Sequence, residues 1–102
     1  MAAGIGRRYG GLKQVASVGP AGEIILDYSV FDALTAGFTK LVYVVSKEVE
    51  AALRLRIEAR LGGACEVEYV LQELEPLPRG VPPPSGRRKP WGTGHAVLSC
   101  QD

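Results

Sequence analysis

Apolar residues recur along this chain with periods that change from one segment to the next. From Ile24 to Ala36 they return every three or four positions, and Gly37 follows where a helix often ends in a left-handed residue. From Lys47 to Leu61 a second apolar stripe has the same period, and Gly62 and Gly63 come directly after it. Both segments are therefore predicted to be helices.

Two shorter segments lack the helical period and are rich in β-branched residues. The run from Thr39 to Ser46 has no polar alternation, which is typical of a strand buried on both faces of a parallel sheet. Glu66 to Leu71 is predicted to be another strand. A helix over His95 to Cys100, entered through a glycine-rich turn, is the last element that the pattern predicts.

Two stretches show neither period and are predicted to be long loops. Residues 4–22 contain six glycines and a proline among basic residues, and residues 75–92 contain six prolines. Proline lacks the backbone N–H that a helix interior or a central strand needs, so neither element fits the second stretch. Loops of this length in a compact domain are usually functional or disordered.

The order of the predicted elements indicates the fold class. Loop, helix, strand, helix, strand, loop and helix follow one another in a single domain over residues 1–102. Right-handed crossovers then predict an α/β fold with a Rossmann-like, mostly parallel sheet and helices on both faces. Almost no strand precedes Gly4, and the chain stops inside the apolar stretch Ala96–Cys100, so we expect it to be truncated at both ends.

Composition narrows the classes of function. The chain has 102 residues, of which 46% are hydrophobic, and a net charge of +1. We expect a soluble cytoplasmic protein, because no apolar run approaches the roughly 20 residues that cross a bilayer and no secretory leader is recognisable. The near-zero charge gives no reason to expect a nucleic-acid or membrane partner. Assembly into a homo-oligomer is left open.

Cys65, Cys100 and the single histidine His95 are too few, and too far apart, for a zinc site. We predict that both thiols are buried. His95 has no neighbouring serine, cysteine or carboxylate pattern that would form a catalytic relay, which favours a structural role at the helix start. Asp27 is interpreted as a capping contact at a helix start.

The strongest chemical signal is the glycine-rich stretch from Ala2 to Lys13. A dinucleotide fingerprint needs glycine where Tyr9 stands, and a Walker loop needs glycine where Leu12 stands, so both are disfavoured. What remains is a loop whose backbone N–H groups can approach phosphate oxygens, with Arg8 and Lys13 supplying positive charge. Taken alone, an ordinary flexible loop with solvated basic residues fits about as well.

Three segments together resemble the sugar-phosphate nucleotidyltransferases, a family that includes the N-acetylglucosamine-1-phosphate and glucose-1-phosphate uridylyltransferases. The first is AAGIGRRYGGLK at positions 2–13, the second is Gln72 at the end of a predicted strand, and the third is GTGHA at positions 92–96. In this order they span nearly the whole chain. Leu12 departs from the proline that the family commonly has before its lysine, and the loop from Gly6 to Lys13 is shorter than usual.

The resemblance implies a nucleotide-diphospho-sugar transferase type of fold and an enzymatic activity. UMP would pass from UTP to a sugar 1-phosphate with release of pyrophosphate, and this chain would supply the nucleotide-binding part. The implied catalytic residues are Arg8 and Lys13, and the implied nucleotide-binding residues are Ala2, Ala3, Gly4, Gly6, Gln72, Gly92 and Thr93. The implied cofactor is Mg²⁺, with its main ligand expected outside this chain.

Two alternatives stay open at this point. One is a nucleotide-binding or regulatory module that retains the fold without catalysis. The other is a cytidylyl- or guanylyltransferase that acts on a non-sugar phosphate. Trp91 and the run Arg87-Arg88-Lys89 precede the glycine-threonine segment. They could stack on or neutralise a bound nucleotide, or they could form a solvated loop with a partly buried tryptophan.

Overall fold

The computed structural model of this chain describes residues 1–4, 10–74, 77–82, 84–89 and 91–101. Its elements, in chain order, are a short 3-10 helix (Lys13–Val15), α1 (Ile25–Thr35), β1 (Lys40–Val45), α2 (Lys47–Leu61), β2 (Glu66–Leu71) and α3 (Thr93–Leu98). The predicted positions of α1, β1, α2 and β2 are confirmed to within one residue. The final helix α3 begins and ends two residues earlier than predicted, and the 3-10 helix lies in a segment predicted to be loop.

The helices begin and end as their terminal residues dictate. At the start of α1 the Asp27 carboxylate accepts a hydrogen bond from the Ile24 N–H at 2.8 Å, so the predicted capping contact is confirmed. Gly37 and Gly62 follow α1 and α2 with φ of 94° and 54°, in the left-handed region that glycine adopts at little cost. In the part of the chain that is described, no helix has the length and apolar character required to cross a membrane.

The sheet is parallel and small. β1 pairs with β2 in a register that runs from Lys40 opposite Glu66 to Val45 opposite Leu71. On the other edge of β1, Ala2 forms an isolated parallel bridge with Val45 and donates its N–H to the Val44 carbonyl. The order across the sheet is therefore Ala2, β1, β2. The predicted α/β class with a parallel sheet is confirmed, with two strands and this bridge among the described residues.

The hydrophobic core lies on one face of the sheet. Tyr43 and Val45 point to this face because side chains alternate along a strand, and both long helices pack there. The buried cluster consists of Ala2, Ile24, Tyr43, Val45, Val49, Leu53 and Ile57. Two successive right-handed crossovers that step in the same direction along a sheet place their helices on the same side. Helices on both faces of the sheet were predicted, but α1 and α2 cover the same face.

The opposite face is polar toward the amino ends of the strands. The Nζ of Lys40 lies 3.1 Å from Oε1 of Glu66 and 2.8 Å from Oε2 of Glu68, and all three side chains are exposed. Val42 is 41% exposed, whereas Val44 is 3% exposed. The prediction that β1 is buried on both faces is therefore correct for its carboxyl half and wrong for its amino half.

The two cysteines differ in exposure. Cys65 is partly buried and Cys100 is exposed, and both are free thiols. The prediction of two buried thiols is thus wrong for Cys100. That residue follows the last turn of α3, where the neighbouring Val97 and Leu98 are also more than half exposed.

Tyr43 links the core to the alkaline stability of the protein. Burial raises the pKa of Tyr43 to about 12, and its ring stacks on Tyr69 with 5.5 Å between centroids. In the unfolded chain a tyrosine ionises near pH 10. A group with a raised folded pKa contributes stability that is complete below its unfolded pKa and is lost as the pH rises through the folded value.

We therefore expect the free energy of unfolding to fall between about pH 10 and pH 12, and to fall less steeply in Tyr43→Phe. The phenylalanine keeps the ring and removes the ionisable hydroxyl, while other groups such as Lys40 titrate as before. Urea unfolding measured at half-unit pH steps would show the difference in slope. Parallel curves for the two proteins would contradict the assignment.

Candidate functional site

A cleft of 470 Å³ opens at the carboxyl ends of the strands. Its walls come from four places: the chain after the Ala2 bridge, the junction between β1 and α2, the end of β2, and the proline-rich loop. The lining residues are Ala3, Gly4, Leu12, Ser46, Lys47, Glu48, Val49, Leu71, Gln72, Glu73, Leu74 and Arg88. Volumes of about 300 to 1,000 Å³ are typical of small-molecule sites.

The parallel sheet explains why these residues meet. The carboxyl ends of parallel strands lie at one edge, and the segments that leave them border a common crevice. Ser46 follows β1 as the extended N-cap of α2, so the first turn of that helix faces the crevice. Gln72 follows β2 and donates its backbone N–H to the Val45 carbonyl at 2.8 Å. This bond extends the hydrogen bonding between β1 and β2 to the rim of the cleft.

The charges on the cleft wall are partly paired. The Nζ of Lys47 lies 3.0 Å from Oε1 of Glu73, and this ion pair raises the pKa of Lys47. The Glu48 carboxylate accepts a hydrogen bond from its own backbone N–H and another from the Ser46 hydroxyl, which lowers its pKa. Glu48 therefore stays ionised and occupies the positive end of α2. Arg88 also lines the cleft, and no carboxylate among the described residues forms an ion pair with it.

Gln72 is one of two buried polar residues in the described chain, and its side chain holds α3 against the sheet. Its Nε2 donates to the carbonyls of Trp91 and Gly92, at 3.0 and 3.4 Å. The same nitrogen lies 3.2 Å from Nδ1 of His95. A primary amide nitrogen carries two hydrogens, so the two carbonyls alone can use its full donor capacity. The sequence favoured a structural role for His95 at the helix start, and its contact with Gln72 fits that role.

Trp91 anchors the end of the proline-rich loop. Its indole Nε1 donates to the Leu74 carbonyl at 3.0 Å, just past the end of β2. The Arg87 guanidinium lies over the indole ring, 4.3 Å from the centroid, and its Nε donates to the Lys89 carbonyl at 3.2 Å. These contacts fix the segment around Arg88 to the rim of the cleft. Arg87 is exposed and Trp91 is partly buried, which agrees with the predicted solvated loop with a partly buried tryptophan.

The structure brings together three of the nucleotide-binding residues implied by the sequence. Ala3, Gly4 and Gln72 line the same cleft although they lie about 70 positions apart. Ala2 is buried beside them, and its N–H is used in the bond to the Val44 carbonyl. Gly92 is the N-cap of α3, and its carbonyl accepts from Gln72.

The remaining predicted residues lie at the border of the cleft or outside the described residues. Thr93 is the exposed first residue of α3 and is not part of the lining. Lys13 is exposed and directly follows Leu12, which is part of it. Gly6 and Arg8 lie outside the described residues. The roles assigned to these four residues stay predictions.

No protein-family model matches this chain, and no curated protein matches it either. The resemblance to the sugar-phosphate nucleotidyltransferases therefore continues to rest on the three sequence segments. The cleft adds a common location for two of those segments and, through the Gln72 bonds, a contact to the third.

Some residues of the site were not singled out from the sequence. They are Gln14, Ser46, Lys47 and Glu48. Gln14 is buried, and its amide donates to the Gly4 carbonyl, so it joins the 3-10 helix to the start of the glycine-rich stretch. A usable signal existed for the residues after β1, because residues that follow neighbouring parallel strands lie at the same edge of the sheet, where ligands bind. No local signal pointed to Gln14.

Among the described residues that line the cleft, Glu48 and Glu73 are already engaged and do not form a site for Mg²⁺. Such a site needs several oxygen ligands, often with one or two carboxylates. Glu73 is paired with Lys47, and Glu48 is held by Ser46 and its own backbone. Elsewhere in the described ranges, no group of three or more His, Cys, Asp or Glu side chains could hold a metal. The expectation that the main ligand lies outside this chain stays a prediction.

Proposed function

We propose that the cleft binds a nucleoside triphosphate, preferably UTP, and that this chain is the nucleotide-binding part of a sugar-phosphate nucleotidyltransferase. The observation that carries the proposal is the meeting of Ala3, Gly4 and Gln72 in one crevice at the carboxyl ends of parallel strands. In open α/β sheets, ligands bind at this edge. Ala3 and Gly4 at the start of the glycine-rich stretch, and the base-selecting glutamine implied by the resemblance, thus face one space of suitable size.

The order across the sheet agrees with this proposal. The Ala2 bridge, β1 and β2 follow one another across the sheet in the order in which they occur in the chain. One half of a doubly wound nucleotide-binding sheet has the order 3-2-1, in which the first strand leads into the phosphate-binding turn. In this chain the glycine-rich stretch follows Ala2, which is the position of that turn. A Rossmann-like fold of the nucleotide-diphospho-sugar transferase type is therefore part of the proposal.

The proposed reaction is an in-line displacement at the α-phosphorus. A phosphate oxygen of the sugar 1-phosphate attacks this phosphorus, and the bond to the oxygen that bridges to the β-phosphate breaks. The bonding electron pair leaves with pyrophosphate. A protein helps such a step chiefly by positioning the reactants and stabilising negative charge. Lys13, next to the cleft-lining Leu12, is the described residue that we assign to charge stabilisation.

The proposal is tested by calorimetric titration of the full chain with UTP, CTP, GTP and ATP in buffer with MgCl₂. We expect UTP to bind most tightly. We expect Lys13→Gln to weaken UTP binding about tenfold, because it removes one hydrogen bond between charged groups. Lys40→Gln is the matched control, since Lys40 is at the amino end of β1 and carries the same charge.

Each outcome bears on the proposal. UTP preference with a selective loss in Lys13→Gln would support it. Failure of all four triphosphates to bind at millimolar concentration would overturn it, as would equal losses in Lys13→Gln and Lys40→Gln. A clear preference for CTP or GTP would replace the uridylyl assignment with the cytidylyl or guanylyl alternative.

A further inference from the structure

We propose that Arg88 is an anion-binding residue of the cleft and contacts a phosphate group of the bound substrate. This inference rests on the proposed function and deepens it, because it gives a member of the proline-rich loop a direct role. The two possible sources of the phosphate are the nucleotide and the phosphorylated acceptor. Both present the same chemistry, a tetrahedral phosphate ester with charged oxygens.

The charges of the cleft wall are unevenly paired. Among the described residues that line the cleft, Lys47 and Arg88 are the cationic ones. Lys47 is engaged with Glu73 at 3.0 Å, and the amino end of α2 already carries the ionised Glu48 carboxylate. An anion that enters the cleft therefore finds one lining cation without a carboxylate partner in the described chain, and that cation is Arg88.

The proline-rich loop holds Arg88 through the contacts of its neighbours. The residues on either side of it are fixed: Arg87 stacks on Trp91 and donates to the Lys89 carbonyl. Trp91 in turn is bonded to Leu74 and Gln72, at the end of β2. A guanidinium on a segment anchored in this way loses less conformational entropy on binding than one on a free loop. Its planar donors also match phosphate oxygens in a bidentate arrangement.

The two adjacent arginines, Arg87 and Arg88, make different contacts. Arg87 is used to shape the loop, through its stacking on Trp91 and its bond to Lys89. Arg88, one position later, lines the cleft instead. Two adjacent residues of the same type thus have different surroundings. Arg79 belongs to the same proline-rich loop, is exposed and does not line the cleft, so it offers a matched control.

The test is calorimetric titration of the wild type, Arg88→Ala, Arg88→Lys and Arg79→Ala with four probes: UTP, inorganic tripolyphosphate, glucose 1-phosphate and uridine. We expect Arg88→Ala to weaken binding of at least one phosphorylated probe about tenfold and to leave uridine binding unchanged. Arg88→Lys should recover part of the loss, since it keeps the charge and removes the bidentate fork. Arg79→Ala should bind all four probes like the wild type.

The probes also identify the source of the phosphate. A loss confined to UTP and tripolyphosphate assigns Arg88 to the nucleotide, and a loss confined to glucose 1-phosphate assigns it to the acceptor. Equal binding of the phosphorylated probes by the wild type and Arg88→Ala would overturn the inference, as would equal losses in Arg79→Ala. Tripolyphosphate separates this result from the proposed function. If its binding depends on Arg88 while UTP shows no advantage over the other nucleotides, the uridylyl assignment fails and the anion site stands.

Discussion

Replacing Leu53 with alanine is expected to lower the free energy of unfolding by about 2 to 5 kcal/mol, the range for a leucine lost from a packed core. Leu53 is 0% exposed at the middle of α2, where it packs with Val45 and Ile57 in the single buried cluster of the described residues. A small domain has about 5 to 15 kcal/mol of stability in total, so one cavity removes a large share of it. Urea unfolding followed by circular dichroism measures the change.

The helix itself offers a matched control for this substitution. Leu55 lies two positions further along α2 and is 72% exposed, so Leu55→Ala should change the unfolding free energy by less than about 0.5 kcal/mol. If Leu53→Ala does not fold, the smaller change Ile57→Val, expected to cost about 0.5 to 1.5 kcal/mol, still tests the core. Similar losses in Leu53→Ala and Leu55→Ala would show that the described core is not the one that stabilises the protein.

The second large effect is expected for Gln72→Leu, which removes the donor that holds α3. The carbonyls of Trp91 and Gly92 would lose their bonds from Nε2, and the loss of a part-buried hydrogen bond costs about 0.5 to 1.5 kcal/mol. We expect native Trp91 emission to shift to longer wavelength while most of the circular dichroism signal remains, because α3 has only six residues. Fluorescence and urea unfolding of the same samples measure both effects.

The control for this prediction is Gln101→Leu, since Gln101 is exposed after the end of α3. It makes the same chemical change without touching the amide network, and its emission spectrum should match that of the wild type. A Gln72→Leu variant with unaltered emission and stability would mean that α3 is held by other contacts.

Local patterns predicted the elements well because their causes are local. The apolar stripe of α2 and the left-handed Gly62 that ends it are both decided within a few residues, and that helix was predicted without error. The strand over Glu66 to Leu71 was also predicted without error, because this short segment lacks a helical period and is bounded by glycines on one side and polar residues on the other. Gln72 was predicted at the end of this strand, and it lines the cleft there.

Long-range contacts account for what the sequence did not predict. The Gln72 amide meets carbonyls 19 and 20 positions later, and the Gln14 amide meets a carbonyl 10 positions earlier. Neither partner is visible in a periodic pattern, because any glutamine could make such a bond. The side of the sheet occupied by α1 and α2 depends on the direction of two crossovers. That direction became known only from the pairing of Ala2 with Val45.

This pairing has a consequence for handling the protein in concentrated solution. Among the described residues, Ala2 alone bridges to β1 on the side away from β2, so the backbone of Leu41 and Val42 has no described strand partner there. Unpaired strand edges act as templates for intermolecular β-structure, and a charged lysine near the edge opposes such growth. Lys40 occupies that position, but its ammonium is already paired with Glu66 and Glu68, so its charge protects this edge little. The protein should therefore be kept dilute during storage.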